Sequence, residues 1–269
     1  MTLTPDRTIG NLKTAEIVAL LKTGKGQDAD FRQADLAGAD LADCDLTQVK
    51  LIGANLAGAN LTSANLTSSD LRGCDLTGAN LTGANLTGAG LPRANLCGAN
   101  LTGATLEAVR LQLARYDSQT VWMEDFDFKR SGAIGPNAQL GGAFLNTVNL
   151  RGADLQRINA LGAYLAGADL TGANLAGARL SSSDIKRAYL TGAYLRNASL
   201  NNVDLISCDF RAADLTGVDM ENLQGIKGAD FHQAIMSDEL RAKLLARPAA
   251  ELDVRNSFTR RTTRESLTL

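Results

Sequence analysis

The 269 residues contain one histidine, one tryptophan and four cysteines, and aromatic residues make up only 4% of the chain. Such scarcity removes most routes to catalysis. Any Ser-His, Cys-His or multi-histidine metal arrangement would have to centre on His232, between Phe231 and Gln233, and nothing in the sequence joins it there. The glycines recur at five-residue intervals, so the GxxxxG matches they create are by-products of spacing and not a phosphate-cradling loop. No stretch approaches the ~20 apolar residues of a membrane span, and Met1 to Leu20 holds no basic segment leading into an apolar run. A formal charge of −2 gives neither sign a clear excess. The expectation is a soluble cytoplasmic protein that is not an enzyme and needs no cofactor or metal.

What the chain has in abundance is a period of five. From Phe31 to Leu111 every fifth residue is Leu apart from Phe31 itself, and the residue two before each is Ala, Cys, Val or Ser. The same register returns from Leu140 to Met220, shifted by one in phase, giving 34 repeats in all. In an extended chain the Leu and the small residue before it point one way, and the Asp or Asn between them points the other. Five is odd, so the remaining two residues must turn a corner that restores the parity. The second residue after the central Leu is Gly in 17 of the 34 repeats, which suits a corner needing φ > 0. A helix is excluded, because successive Leu residues would spiral around it by about 500° per step. One Ala and one Leu per repeat make a narrow core without a ligand cavity. Ala160 replaces a central Leu where Ile158 replaces the inward Ala, which preserves volume.

Unbroken A(D/N)LxG repeats of this kind, as in Asn80, Leu81, Thr82, Gly83, Ala84, Asn85 and Leu86, resemble the pentapeptide-repeat protein family over about 29–118 and 138–236. The resemblance implies an all-β fold, a right-handed quadrilateral β-helix with four repeats per coil. At roughly 4.8 Å between strands, eight to nine coils would make a rod about 40 Å long, one elongated domain over 29–236. Cys44, Cys74 and Cys208 occupy the inward small-residue slot and read as reduced, buried space-fillers, whereas Cys97 follows a central Leu and should lie near the surface.

A stack of coils ends in open strand edges, and both flanks offer short α-helical caps. In the segment 1–28, residues 14–23 place Ile17, Val18, Leu20 and Leu21 at helical spacing, with Thr14 as N-cap and Gly24 as the stop. Within 237–250, Ser237 precedes Asp238 and Glu239, Leu240, Leu244 and Leu245 form an apolar side, and Pro248 terminates. This second helix either caps the stack or, as in some pentapeptide-repeat proteins, makes a homodimer. The tail 251–269, rich in Arg and Thr and without periodicity, is expected to lack order.

Around 119–137 the register fails. This stretch holds Trp122, Phe126, Phe128, Lys129, Arg130 and Pro136. It is either a tolerated insertion packed on the coil wall, with Phe144 and Tyr164 as its landing surface, or a loop presenting those aromatic and basic residues to a protein partner. No basic stripe forms along any column, so direct nucleic-acid binding is not expected. The resemblance also suggests the opposite, DNA mimicry toward a type II topoisomerase, as in gyrase-binding relatives linked to quinolone resistance. Asp30, Asp35, Asp40 and Asp45 mark one end and Asp204, Asp209, Asp214 and Asp219 the other, but the net charge of 29–236 is 16 − 21 = −5. DNA of similar length carries over ~20 charges. The leading expectation is therefore a non-enzymatic scaffold that binds a protein through its walls and central loop.

Overall fold

The computed structural model describes residues 13–24 and 30–268, and the rest of the expected N-terminal segment, 1–12 and 25–28, lies outside them. The chain divides into two compact units, Met1–Ile134 and Gly135–Leu269.

In both units the repeat builds a β-helical solenoid. Single-residue parallel bridges join positions twenty residues apart, as in Asn60↔Asn80, Asn80↔Asn100, Asn159↔Arg179 and Arg179↔Ser199. Four five-residue repeats therefore make each regular coil. The repeat Ala59–Ser63 shows where every backbone N–H goes. Ala59 donates to Leu56 O (3.0 Å) and closes a turn; Asn60 donates to Ala39 O (2.9 Å) on the preceding coil. Leu61 and Ser63 donate to Asn80 O (2.7 Å) and Thr82 O (2.9 Å) on the following one. The remaining donor, Thr62 N–H, is taken by the Asn60 side chain (3.2 Å). That last bond is the reason the outward position is Asp or Asn: its oxygen satisfies a backbone donor that no neighbouring coil reaches. The same groups also link coils, since Asn60 Nδ2 donates to Asp40 Oδ1 (3.0 Å) and Asn80 Nδ2 to Thr62 Oγ1 (3.0 Å).

Inside, the central residues Leu36 through Leu96 and Leu145 through Leu205 are almost fully buried, and so is most of the small-residue slot, with Ala34, Ala143 and Val148 partly exposed. Cys74 and Cys208 sit in that slot and donate to Leu51 O (2.6 Å) and Ile185 O (3.0 Å). Burial pushes the Cys74 thiol up to about 12 and raises the Cys208 thiol as well. The folded protein thus holds these protons more tightly than the unfolded chain. Their contribution is complete below the ordinary thiol value near 9.0 and is lost as pH rises from there. Between pH 8 and pH 10, urea unfolding of the wild type should lose about 2–3 kcal/mol more than a Cys74→Ala/Cys208→Ala variant, about 1.4 kcal/mol per thiol over that range because the unfolded thiols ionise only from about pH 9 upward. Parallel losses would mean that the thiols are not confined.

The corner rule holds at every repeat. All 34 corner positions have φ between 51° and 69°, 17 of them Gly and 17 other residues. The non-glycines include Leu113 (φ 61°) and the β-branched Thr147 (φ 56°). A side chain costs roughly 1–2 kcal/mol in this conformation, and part of that is offset because Gly loses more freedom on folding. Thr147→Gly should therefore stabilise unit 135–269 by about 0.5–1 kcal/mol in thermal unfolding.

At the N-terminal end, α1 (Thr14–Lys22) buries Ile17 and Leu21. Thr14 is not the N-cap. Lys13 holds that position with its N–H bonded to Glu16 Oε2 (3.0 Å), and the Thr14 hydroxyl instead donates to Asp35 O (2.9 Å), tying α1 to the first coil. At the C-terminal end come α2 (Asp238–Leu245), capped by Ser237 Oγ (3.1 Å), α3 (Ala249–Leu252) and α4 (Thr263–Thr268).

The tail expected to lack order is folded. It has no periodicity because it is not a repeat, and separate contacts hold it to the open edge of the last coil. Asn256 Nδ2 donates to Gly228 O (2.7 Å), Thr263 Oγ1 donates to Ile226 O (3.1 Å), and Ser266 Oγ accepts from Phe231 N–H (3.0 Å). Asn256, Thr263 and Ser266 are fully buried. The edge groups are thus satisfied by the tail, with α4 packed against α2 and α3.

Candidate functional site

The irregular stretch is a rebuilt coil and not an insertion. Arg115 bridges Ile134, so the coil takes 134 − 115 = 19 residues, one fewer than its neighbours. Val121 bridges Asn100 at a spacing of 21, so one residue is gained before Val121. From Val121 to Ile134 there are 13 steps where three regular repeats would take 15. The one-residue phase shift between the two sequence blocks comes from this shortened coil.

Asp117 opens the segment. Its Oδ1 accepts from Gly98 N–H (2.9 Å), Gln119 N–H (3.0 Å) and Thr120 N–H (3.0 Å), so one carboxylate both closes the local turn and anchors it to the preceding coil. Tyr116 then takes the central slot normally held by Leu and is 3% exposed. Its ring meets Trp122 and Phe128 edge-on, both at 5.5 Å between centroids. Trp122 in turn stacks on Phe128 (5.5 Å, interplanar 1°) and leans on Phe126 (5.5 Å). The three aromatic side chains expected as partner contacts are therefore brought together as the segment's own small core, each about half-buried. Such clusters stabilise by packing beyond simple area burial. Tyr116, which organises the cluster, was not singled out by the sequence because it stands in register as a coil centre.

The basic residues are exposed but have neighbours within the segment. Lys129 Nζ lies 5.9 Å from the centre of the Phe128 ring, and Arg130 Nε is 3.9 Å from Asp127 Oδ2. Both belong to a short 3-10 turn, Phe128–Arg130.

In the second unit, Phe144 and Tyr164 stack on successive coils (4.8 Å between centroids, interplanar 4°), and Phe144 is 77% exposed. Further along the walls, acidic residues are paired with bases. Arg211 grips Asp209 through two bonds of 2.8 and 2.7 Å, Arg151 reaches Asp169 (3.1 Å), Lys186 reaches Asp204 (3.6 Å), and Arg196 binds Asp214. Burial alone would raise the Asp214 carboxyl, but bonds from Thr216 and Arg196 hold it below the usual value. His232 sits beside Asp230, whose Oδ1 accepts the His232 backbone N–H (2.9 Å), and Arg261 lies 3.9 Å from Asp230 Oδ2. Among the described residues no group of three or more His, Cys, Asp or Glu is placed to hold a metal, and no helix is long and apolar enough to cross a membrane.

A family model of pentapeptide repeats matches the chain at 27–62, 39–78, 79–115, 149–187 and 183–222. Among solved structures, a pentapeptide repeat protein from Nostoc PCC 7120 is 35% identical over 44% of this chain and 92% of its own, with a TM-score of 0.38. HetL, a pentapeptide repeat protein involved in heterocyst differentiation regulation in Nostoc sp. strain PCC 7120, is 28% identical over 85% of this chain and 98% of its own, with a TM-score of 0.33. QnrB1, a plasmid-mediated fluoroquinolone resistance protein, is 18% identical over 72% and 86%, with a TM-score of 0.32. Comparison with curated proteins returns no match.

Proposed function

Since this chain belongs to the pentapeptide repeat family, we infer that it works without catalysis, as a scaffold that binds a protein partner through its rebuilt coil and its solenoid walls. One observation carries this reading. The regular repeats use their inward side chains for the core and, where the outward residue is Asp or Asn, that side chain for the backbone, whereas segment 117–133 departs from the repeat and carries its own aromatic core. A segment held rigid in this way, on a rigid frame, is a common place for recognition.

The test replaces 117–133 with eighteen residues of in-register Ala-Asn-Leu-Thr-Gly sequence, which restores a twenty-residue coil between Arg115 and the present Ile134. Intact and replaced proteins are used as bait in host lysate. A protein captured only by the intact form supports the reading; identical captures by both forms overturn the role of the segment.

The remaining parts of the reading rest on the resemblance. They are the right-handed, quadrilateral winding and the homodimer through α2 as alternative to a monomer; the cytoplasmic location rests on the sequence reading. The apolar Leu244 of α2 is already buried within its own chain, which favours the monomer. A topoisomerase mimic would need an acidic wall, whereas Asp169, Asp204, Asp209 and Asp214 each have a base beside them.

A further inference from the structure

The first unit carries a recess of about 750 Å³ between the coil turn at 102–107 and the rebuilt segment at 123–126. Its apolar lining comes from Leu106, 7% exposed, and from the half-buried Met123 and Phe126. Its other notable members are Glu107, Glu124 and Asp125, all exposed. No Lys or Arg lines it. None of the three carboxylates forms an ion pair or a side-chain hydrogen bond among the described residues; of the cations in the same segment, Lys129 lies over the Phe128 ring (5.9 Å) and Arg130 beside Asp127 (3.9 Å).

Three uncompensated negative charges around an apolar floor are complementary to a group with an apolar stem and a positive head, which is the shape of a lysine or arginine side chain. The volume is that of a small-molecule site and accommodates such a side chain with its flanking backbone. Because the recess is open to solvent, a free polyamine would leave much of itself uncovered, whereas a side chain delivered by a protein adds the surrounding interface. We propose that this recess receives a lysine or arginine side chain of the protein partner. The proposal rests on the binding role inferred above and gives that partner its chemistry: an exposed cation on an extended segment.

The test follows amide shifts of the ¹⁵N-labelled full chain during titration with acetyl-Ala-Ala-Arg-Ala-Ala-amide, with its Gln counterpart, and with spermidine. The Arg peptide should move the amides of 102–107 and 123–126, and the Gln peptide should not. Binding should weaken about tenfold in E107Q/E124Q/D125N, since exposed charge pairs contribute modestly each, and several-fold between about 50 and 300 mM salt. Asn tolerates the left-handed backbone of Asp125 (φ 64°), and E124Q alone provides a second, milder variant with a smaller loss. Absence of shifts at these amides, equal binding of the Gln peptide, undiminished binding by the variants, or tighter binding of spermidine than of the Arg peptide would each overturn the proposal. If lysate capture is lost on replacing 117–133 but kept by the triple charge variant, the recess is not the contact and the binding role stands. If capture survives the replacement, both fall.

Discussion

Leu86→Asp should unfold several coils of the first unit and cost more than about 4 kcal/mol, because a carboxylate placed there has neither water nor a partner. Leu86 is 0% exposed and stands between Leu66 and Leu106 in the twenty-residue register, both also buried. The Leu86 N–H and the Asn85 carbonyl each bond to a different neighbouring coil, at Thr105 O (2.8 Å) and Leu66 N (2.7 Å). Tilting one repeat to expose the charge therefore breaks bonds on both sides. In a solenoid, stability is approximately a sum of coil and neighbour contributions, so the damage spreads to adjacent coils before it fades. Leu86→Met keeps the volume and should cost under about 1.5 kcal/mol. Urea unfolding followed by circular dichroism separates the two; a Leu86→Asp protein with the wild-type midpoint would contradict the register.

Deleting residues 253–269 should destabilise the second unit by about 3–5 kcal/mol, even though no repeat is removed. The deletion leaves Ile226 O, Gly228 O and Phe231 N–H without their present partners and removes the buried Leu267. It also removes Arg261, the cation nearest to the fully buried Asp230 carboxylate. Phe231, stacked on Phe210 at 5.2 Å, would then lie at an uncovered coil edge, where it should bind a hydrophobic dye and promote association. The single change Asn256→Ala should reproduce part of the loss, about 1–3 kcal/mol, because that amide joins the tail's own turn (Phe258 N–H, 2.8 Å) to Gly228. Thermal unfolding with dye fluorescence checks both. A truncated protein of unchanged stability would show that α2 and α3 suffice to close the coil.

The solenoid was legible because its rules are local and repeated. The period of five placed Leu inward and Asp or Asn outward, and Gly at half of the corners pointed to φ > 0; the structure extends that conformation to Leu113 and Thr147. There the register outweighs residue preference, since the flanking hydrogen bonds to neighbouring coils fix the backbone whatever the side chain is. The rebuilt coil was legible only as a break. Trp122, Phe126 and Phe128 signalled something unusual, but their hub is Tyr116, which looks in sequence like another coil centre. Nor did spacing reveal that the segment is one residue short and not an insertion, because the gain before Val121 and the deficit after it nearly cancel. The tail escaped for a different reason. Its order depends on single contacts from Asn256, Thr263 and Ser266 to one coil edge, and isolated contacts leave no period to read.

Recognition of a protein partner by the rebuilt coil is the central proposal. Photo-crosslinking tests it most directly, with a crosslinking amino acid placed in turn at Glu124, at Asn80 on the regular wall, and at Glu239 in α2. The expected result in host lysate is one discrete adduct from position 124 and none from 239. Adducts from 80 or 239 with none from 124 would contradict it and move recognition to the solenoid wall or the C-terminal cap.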